Sequence, residues 1–296
     1  MPSVTANGIQ IEYDTFGADS SPALLLVMGA GGQMIFWDFE FCELLAERGH
    51  FVVRFDNRDV GLSTKFEKAG IPDMMAAMNG KPACSAYSLE DMADDAVGLL
   101  DALGIETAHV CGVSMGGMIA QVISYRYPER VLSLISIMSS TGNPELPQIK
   151  PDVLAAVWKP VPKEREAYIE HHVNLWQTLW SPGFPFDEKR LRKIMAESYD
   201  RSYYPQGMAR QSMAVLAHGD RRSSIASIKA PTLVIHGDED PLMSVEGGKE
   251  TAQLIPGAKL LIMDGMGHDM PKEAWSKIID AISNHTMQAN VSCKKR

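Results

Sequence analysis

The chain is poor in cysteine, in basic charge and in long apolar runs, and each shortage excludes something. Its four cysteines, Cys42, Cys84, Cys111 and Cys293, are scattered and form no C-x-x-C pair. That pattern argues against a disulfide framework and fits reduced thiols in a cytoplasm; Cys111, inside an apolar run, reads as core packing. The net charge of -9 repels phosphate backbones, so nucleic acid is not an expected partner. The one basic run, Lys294-Lys295-Arg296, reads as a solvated tail. The longest early apolar stretch, Ala23 to Met28, falls far short of the ~20 residues that a membrane span needs. A charged start followed by an apolar signal core is also lacking, so a cytoplasmic location is expected. Neither H-E-x-x-H nor a G-x-G-x-x-G at a strand–helix junction occurs, and neither a metal nor an organic cofactor is expected.

What remains is an ordinary globular composition, 45% hydrophobic and 22% charged over 296 residues. That length suits one large core with an insertion, or two modest domains. Asn7-Gly8 marks a hairpin turn within the first sixteen residues. Ala23–Met28 and Phe51–Phe55 read as strands, with a helix from about Trp37 to Arg48 between them. Ser88-x-x-Asp91 is a variant capping box opening a helix that Gly104 ends. His109–Val113 is a strand, Met115–Tyr127 a helix and Val131–Met138 a strand. Later, Thr232–His236 and Lys259–Met263 are strands, followed by helices near Glu246–Leu254 and Lys272–Asn284. Such alternation predicts a mostly parallel sheet flanked by helices. The stretch 142–204 breaks the rhythm. It has helical patterns, no convincing strand, and Trp158, Trp176 and Trp180, three of the five tryptophans. The expected division is a core of 1–141 and 205–296 with a helical cap over 142–204.

Gly112-Val113-Ser114-Met115-Gly116 matches G-x-S-x-G, a motif expected by chance about 0.1 times in such a chain. Its context carries the weight, because the serine falls between a strand and a helix. Glycines two before and two after the serine fit a turn too tight for side chains. The helix N-terminus offers free N–H groups where an oxyanion forms. A serine hydroxyl needs a base, and the base needs an orienting acid. His268, after the Lys259–Met263 strand, and Asp240, after the Thr232–His236 strand, stand at strand C-termini in the order Ser, Asp, His. Asp238 and Glu239 compete with Asp240 for the acid position. The oxyanion donors are expected to be the N–H of Met115 and that of Ala30, in Gly29-Ala30-Gly31-Gly32.

The blocks LLLVMGAGG (24–32), FDNRDVGLS (55–63), CGVSMGG (111–117), PTLVIHGDEDP (231–241) and GMGH (265–268) together resemble the α/β-hydrolase superfamily over nearly the whole chain. Asp59 stands where glycine is usual, and Met28 where histidine is common. With these departures the chain is similar to the aclacinomycin methylesterase group, a known member of which removes a methyl ester from a polyketide antibiotic. The resemblance implies a helical cap and serine esterase chemistry on a bulky methyl ester. It implies Ser114, Asp240 (before Pro241) and His268 as triad, and Ala30 and Met115 as oxyanion donors. It does not carry over the polyketide, since substrate choice resides in the cap. Arg58 and Asp56 are expected to be structural, as an ion pair holding the strand–loop connection.

The expected cycle runs through an acyl-enzyme. Trp158, Trp176, Trp180, Phe184 and Phe186 in the cap, and Met34 and Trp37 beside the oxyanion loop, are candidates for the substrate pocket. The expected partner is a small-molecule ester; oligomeric state stays open. Perhydrolase (cofactor-free haloperoxidase) and C–C bond hydrolase reactions fit the same triad. Epoxide hydrolases and dehalogenases do not, since both need a carboxylate at position 114. A ligand-binding receptor retaining the triad is the reading of another class, and a purely structural role fits least.

Overall fold

The computed structural model describes residues 2–78 and 80–293, so the basic run 294–296 lies outside the described residues. Strands β1 (Ser3–Ala6) and β2 (Ile9–Phe16) form the expected hairpin. Asn7 and Gly8 both take positive φ, 48° and 75°, the turn whose twist matches the paired strands. The chain continues through β3 (Ala23–Val27), α1 (Phe39–Glu47), β4 (Phe51–Phe55), α2 (Met74–Met78), α3 (Leu89–Ala102), β5 (Ala108–Val113), α4 (Met115–Arg126) and β6 (Val131–Ile137). A helical stretch follows: α5 (Pro151–Val157), α6 (Arg165–Leu179), α7 (Glu188–Arg201), α8 (Gln206–His218) and α9 (Arg222–Ile225). Then come β7 (Thr232–Gly237), α10 (Val245–Leu254), β8 (Lys259–Met263) and α11 (Trp275–Cys293).

Most expected boundaries differ from these by one or two residues. The first helix starts at Phe39 because the Asp38 carboxylate caps it, accepting from Glu40 N–H at 2.9 Å. Ser88 and Asp91 form a reciprocal capping box, worth about 1 kcal/mol. The last helix runs well past Asn284, because His285, Thr286 and Ala289 are buried against the body of the protein.

The eight strands lie in the order β1-β2-β4-β3-β5-β6-β7-β8, parallel from β4 onward. Strand β3 is buried along its whole length, and its residues alternate between two cores. Leu25 and Val27 join Met92, Leu99, Ile119 and Val122 of α3 and α4 on one face. Leu24 and Leu26 join Phe41, Leu45, Ile278 and Ile282 of α1 and α11 on the other. Each such side chain contributes roughly 1.5–3 kcal/mol by leaving water. The connection from β3 goes one way to β4, and β5 lies on the other side. Open α/β sheets place their sites at the carboxyl ends of strands beside such a switch point.

The stretch between β6 and β7 is helical throughout its regular structure and holds its own apolar cluster of Tyr168, Ile169, Val173, Leu191 and Met195. It continues past residue 204 into α8, a helix that the sequence reading had not separated. Arg210 of α8 grips Asp59 in a fork, at 2.8 and 2.9 Å, with both side chains essentially fully buried. This accounts for the departure from glycine at 59: the backbone keeps positive φ (69°), and the carboxylate serves Arg210 and the N–H of Phe66.

The expected Asp56–Arg58 ion pair does not form. Arg58 pairs with Asp95 on the buried side of α3, at 2.6 and 2.8 Å. Asp56 pairs with Arg201 at the end of α7, at 2.6 Å, and also accepts the N–H groups of Met34 and Leu62. Both true partners are remote in sequence, so nothing local announced them.

Candidate active site

Ser114 occupies the junction of β5 and α4 with φ 54° and ψ −123°, a left-handed conformation costly for a residue with a Cβ. Its neighbours permit it. A Cβ on Gly112 would lie 2.0 Å from Gly116 O, and one on Gly116 would lie 2.0 Å from Val27 O. Ser114 stands at the N-cap of α4 without bonding that helix, so its hydroxyl is available elsewhere. Its Oγ is 3.1 Å from His268 Nε2.

His268 is buried, and its Nδ1 lies 2.7 Å from Asp240 Oδ2. An ionised carboxylate only accepts, so Nδ1 carries the proton and Nε2 accepts from Ser114. The Asp240 side chain is fully buried. Burial alone pushes its pKa up. The charge of His268 and hydrogen bonds from His236 and His268 outweigh that and hold the carboxyl well below the usual range. Asp240 Oδ1 also accepts the N–H groups of Leu242 and Met243, at 2.9 and 2.8 Å. The competing Asp238 instead accepts the N–H of Gly265 at 2.7 Å, and Glu239 is exposed.

The loop after β3 passes against the serine: a Cβ on Gly29 would lie 3.2 Å from Ser114 Cβ. Neither Ala30 nor Met115 donates its N–H to an acceptor among the described residues. Helices α7 and α8 hold this loop. Gln211 accepts from Gly31 N–H at 2.7 Å, and Gln33 donates to Ser198 O at 2.7 Å.

Above Ser114 lies a cavity of about 660 Å³, roofed by α5 to α8. Trp158, Trp176 and Trp180 line it, together with Phe36, Met208 and Leu216. Met34 and Trp37 do not. Both are fully buried; Trp37 stacks on Phe41 at 5.8 Å, below the cavity floor. The intervening Phe36 faces the cavity because residues 34–36 form one 3₁₀ turn. Phe184 and Phe186 also turn away, into the apolar clusters.

Sequence reasoning missed His236, whose Nε2 lies 2.8 Å from Met243 O and 3.4 Å from Asp240 Oδ2. Its spacing of four residues before Asp240 across a strand end was the available signal. It also missed Gln211, Ser181 and Asp269, for which no local pattern exists. Among the described residues no cluster suited to a metal ion occurs.

Sheet order, serine turn and the chain of three side chains define one class of protein. The family model described as "alpha/beta hydrolase fold" matches residues 22–274, and the chain belongs to that family. It is similar to the rhodomycin D methylesterase DauP of Streptomyces sp. (strain C5), 28% identical over 98% of this chain and 100% of the relative. The 2-hydroxymuconate semialdehyde hydrolase of Pseudomonas sp. (strain CF600) is 30% identical, covering 75% of this chain and 77% of its own. Among solved structures, the enol-lactonase from Burkholderia xenovorans LB400 superposes with a TM-score of 0.72 over 97% of this chain and 100% of its own, at 22% identity; this likeness speaks to fold alone.

Proposed function

We propose that this protein hydrolyses carboxylic esters through an acyl-enzyme formed on Ser114. The observation carrying the proposal is the continuous hydrogen-bonded line from Asp240 through His268 to a serine on a left-handed turn. Full-length similarity to rhodomycin D methylesterases supports the ester as substrate.

His268 Nε2 takes the hydroxyl proton as Ser114 Oγ attacks the ester carbonyl carbon. Asp240 stabilises the imidazolium that results and holds the ring in the productive tautomer. The N–H groups of Ala30 and Met115 donate to the tetrahedral oxyanion. The carbon–oxygen bond to the alcohol then breaks, and His268 returns its proton to the leaving oxygen. Water, deprotonated by His268, attacks the acyl-enzyme and frees the acid and Ser114. No step uses a cofactor. Residues 142–204 act as the cap, extended by α8, and the apolar cavity accepts a bulky methyl ester. Trp158, Trp176 and Trp180 supply its aromatic walls.

The test is hydrolysis of p-nitrophenyl esters from acetate to laurate, and of bulky aryl methyl esters, by wild type and Ser114→Ala. Wild type turns over and Ser114→Ala loses ~10⁶-fold, the scale set by removal of a catalytic serine in subtilisin. Ser114→Ala within tenfold of wild type refutes the mechanism. The likeness to a 2-hydroxymuconate semialdehyde hydrolase supplies a second reading, C–C bond cleavage on the same triad. Turnover of a dienone substrate with no turnover of any ester selects it.

A further inference from the structure

The loop that carries His268 is stitched to the end of α6, a helix that lines the cavity. His268 N–H donates to Leu179 O at 2.9 Å, and Gly183 N–H donates to Gly265 O at 2.9 Å. Between these two backbone bonds lies Ser181, fully buried. Its Oγ accepts the N–H of Gly267 at 2.8 Å and donates to Asp269 Oδ1 at 2.5 Å. One hydroxyl thus holds the residues on both sides of His268. The approach is as close as backbone allows: a Cβ on Gly267 would lie 2.4 Å from Trp180 O, and one on Gly183 would lie 2.7 Å from Gly265 Cα.

Asp269 is an unusual group to keep here. Its second oxygen, Oδ2, is buried and has no hydrogen-bond partner among the described residues. Burial pushes its carboxyl up to about 6, against the lowering effects of the Ser181 hydroxyl, the His268 charge, the Ser181 backbone and the charge of Arg190 on α7. A buried carboxyl with one unpaired oxygen costs stability, and such costs concentrate at working sites. Its retention is understandable if it does something for its neighbour.

We propose that Ser181 and Asp269 are positioning residues for His268, fixing the histidine loop to the cavity-lining end of α6 so that the cap, and a substrate seated against it, sets where the imidazole stands. This rests on the triad reading above. Helix α6 presents Tyr168, His172, Leu175, Trp176 and Leu179 to the cavity, and Leu179 itself accepts the N–H of His268. The cavity lining and the backbone of His268 are thus joined directly through Leu179. Displacement of about 1 Å at a reacting group costs about 10²-fold in rate. The Asp269 carboxylate and the His268 ring also interact by charge, an interaction that lowers the Asp269 carboxyl.

The experiment compares Ser181→Ala and Asp269→Asn with wild type and Ser114→Ala on the best ester, measuring kcat, KM and the pH dependence of kcat/KM. Ser181→Ala leaves Gly267 N–H and Asp269 without their shared partner. Its kcat is expected to fall about ten- to hundredfold while KM stays within about threefold. Asp269→Asn keeps an oxygen for Ser181 and removes the charge, so its acid limb is expected to move to lower pH. A Ser181→Ala enzyme that melts earlier yet keeps the wild-type kcat and acid limb overturns the proposal, as does an unmoved acid limb in Asp269→Asn. If Ser181→Ala fails to fold, Asp269→Asn decides alone. An active Ser114→Ala, by contrast, defeats the triad reading itself, so the two failures are separable.

Discussion

His268 and His109 are both buried at ends of the same sheet, and their surroundings differ in one respect that governs what each can do. At the carboxyl ends of the strands, His268 meets a carboxylate, Asp240, on one nitrogen and a hydroxyl on the other. At the opposite end His109, His50 and His285 meet Ser133, Thr286, Leu45 O and Pro231 O, and no carboxylate among the described residues. Burial lowers the pKa of all three, that of His109 to about 3. A buried imidazole without a counter-charge is a neutral core group; one with a counter-charge can accept a proton and return it. The arginines repeat the lesson. Arg210 has Asp59, whereas Arg221, equally buried, donates to Ser140 O and Gly219 O, and burial lowers its pKa to about 10.

The comparison can be broken most severely at Asp240. Asp240→Asn removes the charge that distinguishes His268 from the histidines below, and kcat is expected to fall about 10⁴-fold with the fold intact. A loss under tenfold at neutral pH would show that the carboxylate is not what enables His268. The next effect is on stability. Asp59→Gly restores the residue usual in the family and relieves a left-handed non-glycine backbone, yet strands Arg210. A loss of about 3–5 kcal/mol in urea unfolding is expected, with most of it recovered in Asp59→Gly/Arg210→Met. If Asp59→Gly alone proves stabilising, backbone strain outweighs the pair.

The smallest effect concerns acid. The three lower histidines have folded pKa values below their unfolded value near 6.5, so the unfolded chain binds protons first and stability falls as pH drops through that value. For His109 the fall continues to about pH 3 and amounts to about 2 kcal/mol by pH 5. Asp269 has the opposite sign. Its folded pKa is raised to about 6, so it adds stability as pH falls from 6 toward 4 and offsets part of the loss. Urea midpoints at pH 8 and pH 5 are expected to differ less in His109→Gln than in wild type. Equal differences would remove His109 from the account.

The elements nearest the chemistry were legible because their signals are local. Strand β3 announces itself as a continuous apolar run, and G-x-S-x-G carries its own steric reason in Gly112 and Gly116. Asp240 and His268 stood out because each follows a strand at the sheet edge that also carries Ser114, and the structure brings the three side chains within hydrogen-bond distance. The errors share a cause too. Trp37 and Phe36 are adjacent apolar aromatics, and only the 3₁₀ turn decides which meets the cavity and which meets Phe41. Arg58 and Asp56 were matched to each other because pattern reading sees neighbours, while their partners Asp95 and Arg201 lie far along the chain.

By itself, the sequence determined the alternation that makes a parallel sheet, the turn that strains Ser114, and the order in which Asp240 and His268, the two residues proposed to act with it, follow. Periodicity and turn chemistry operate within a few residues, so one strand of text suffices to read them. Tertiary structure alone decided which buried charge answers which, that α8 secures Asp59 and Gly31, and that Ser181 ties α6 to the histidine loop. Those contacts join segments tens to hundreds of residues apart. Coulombic and hydrogen-bond energies depend on distance in space, which sequence separation does not encode.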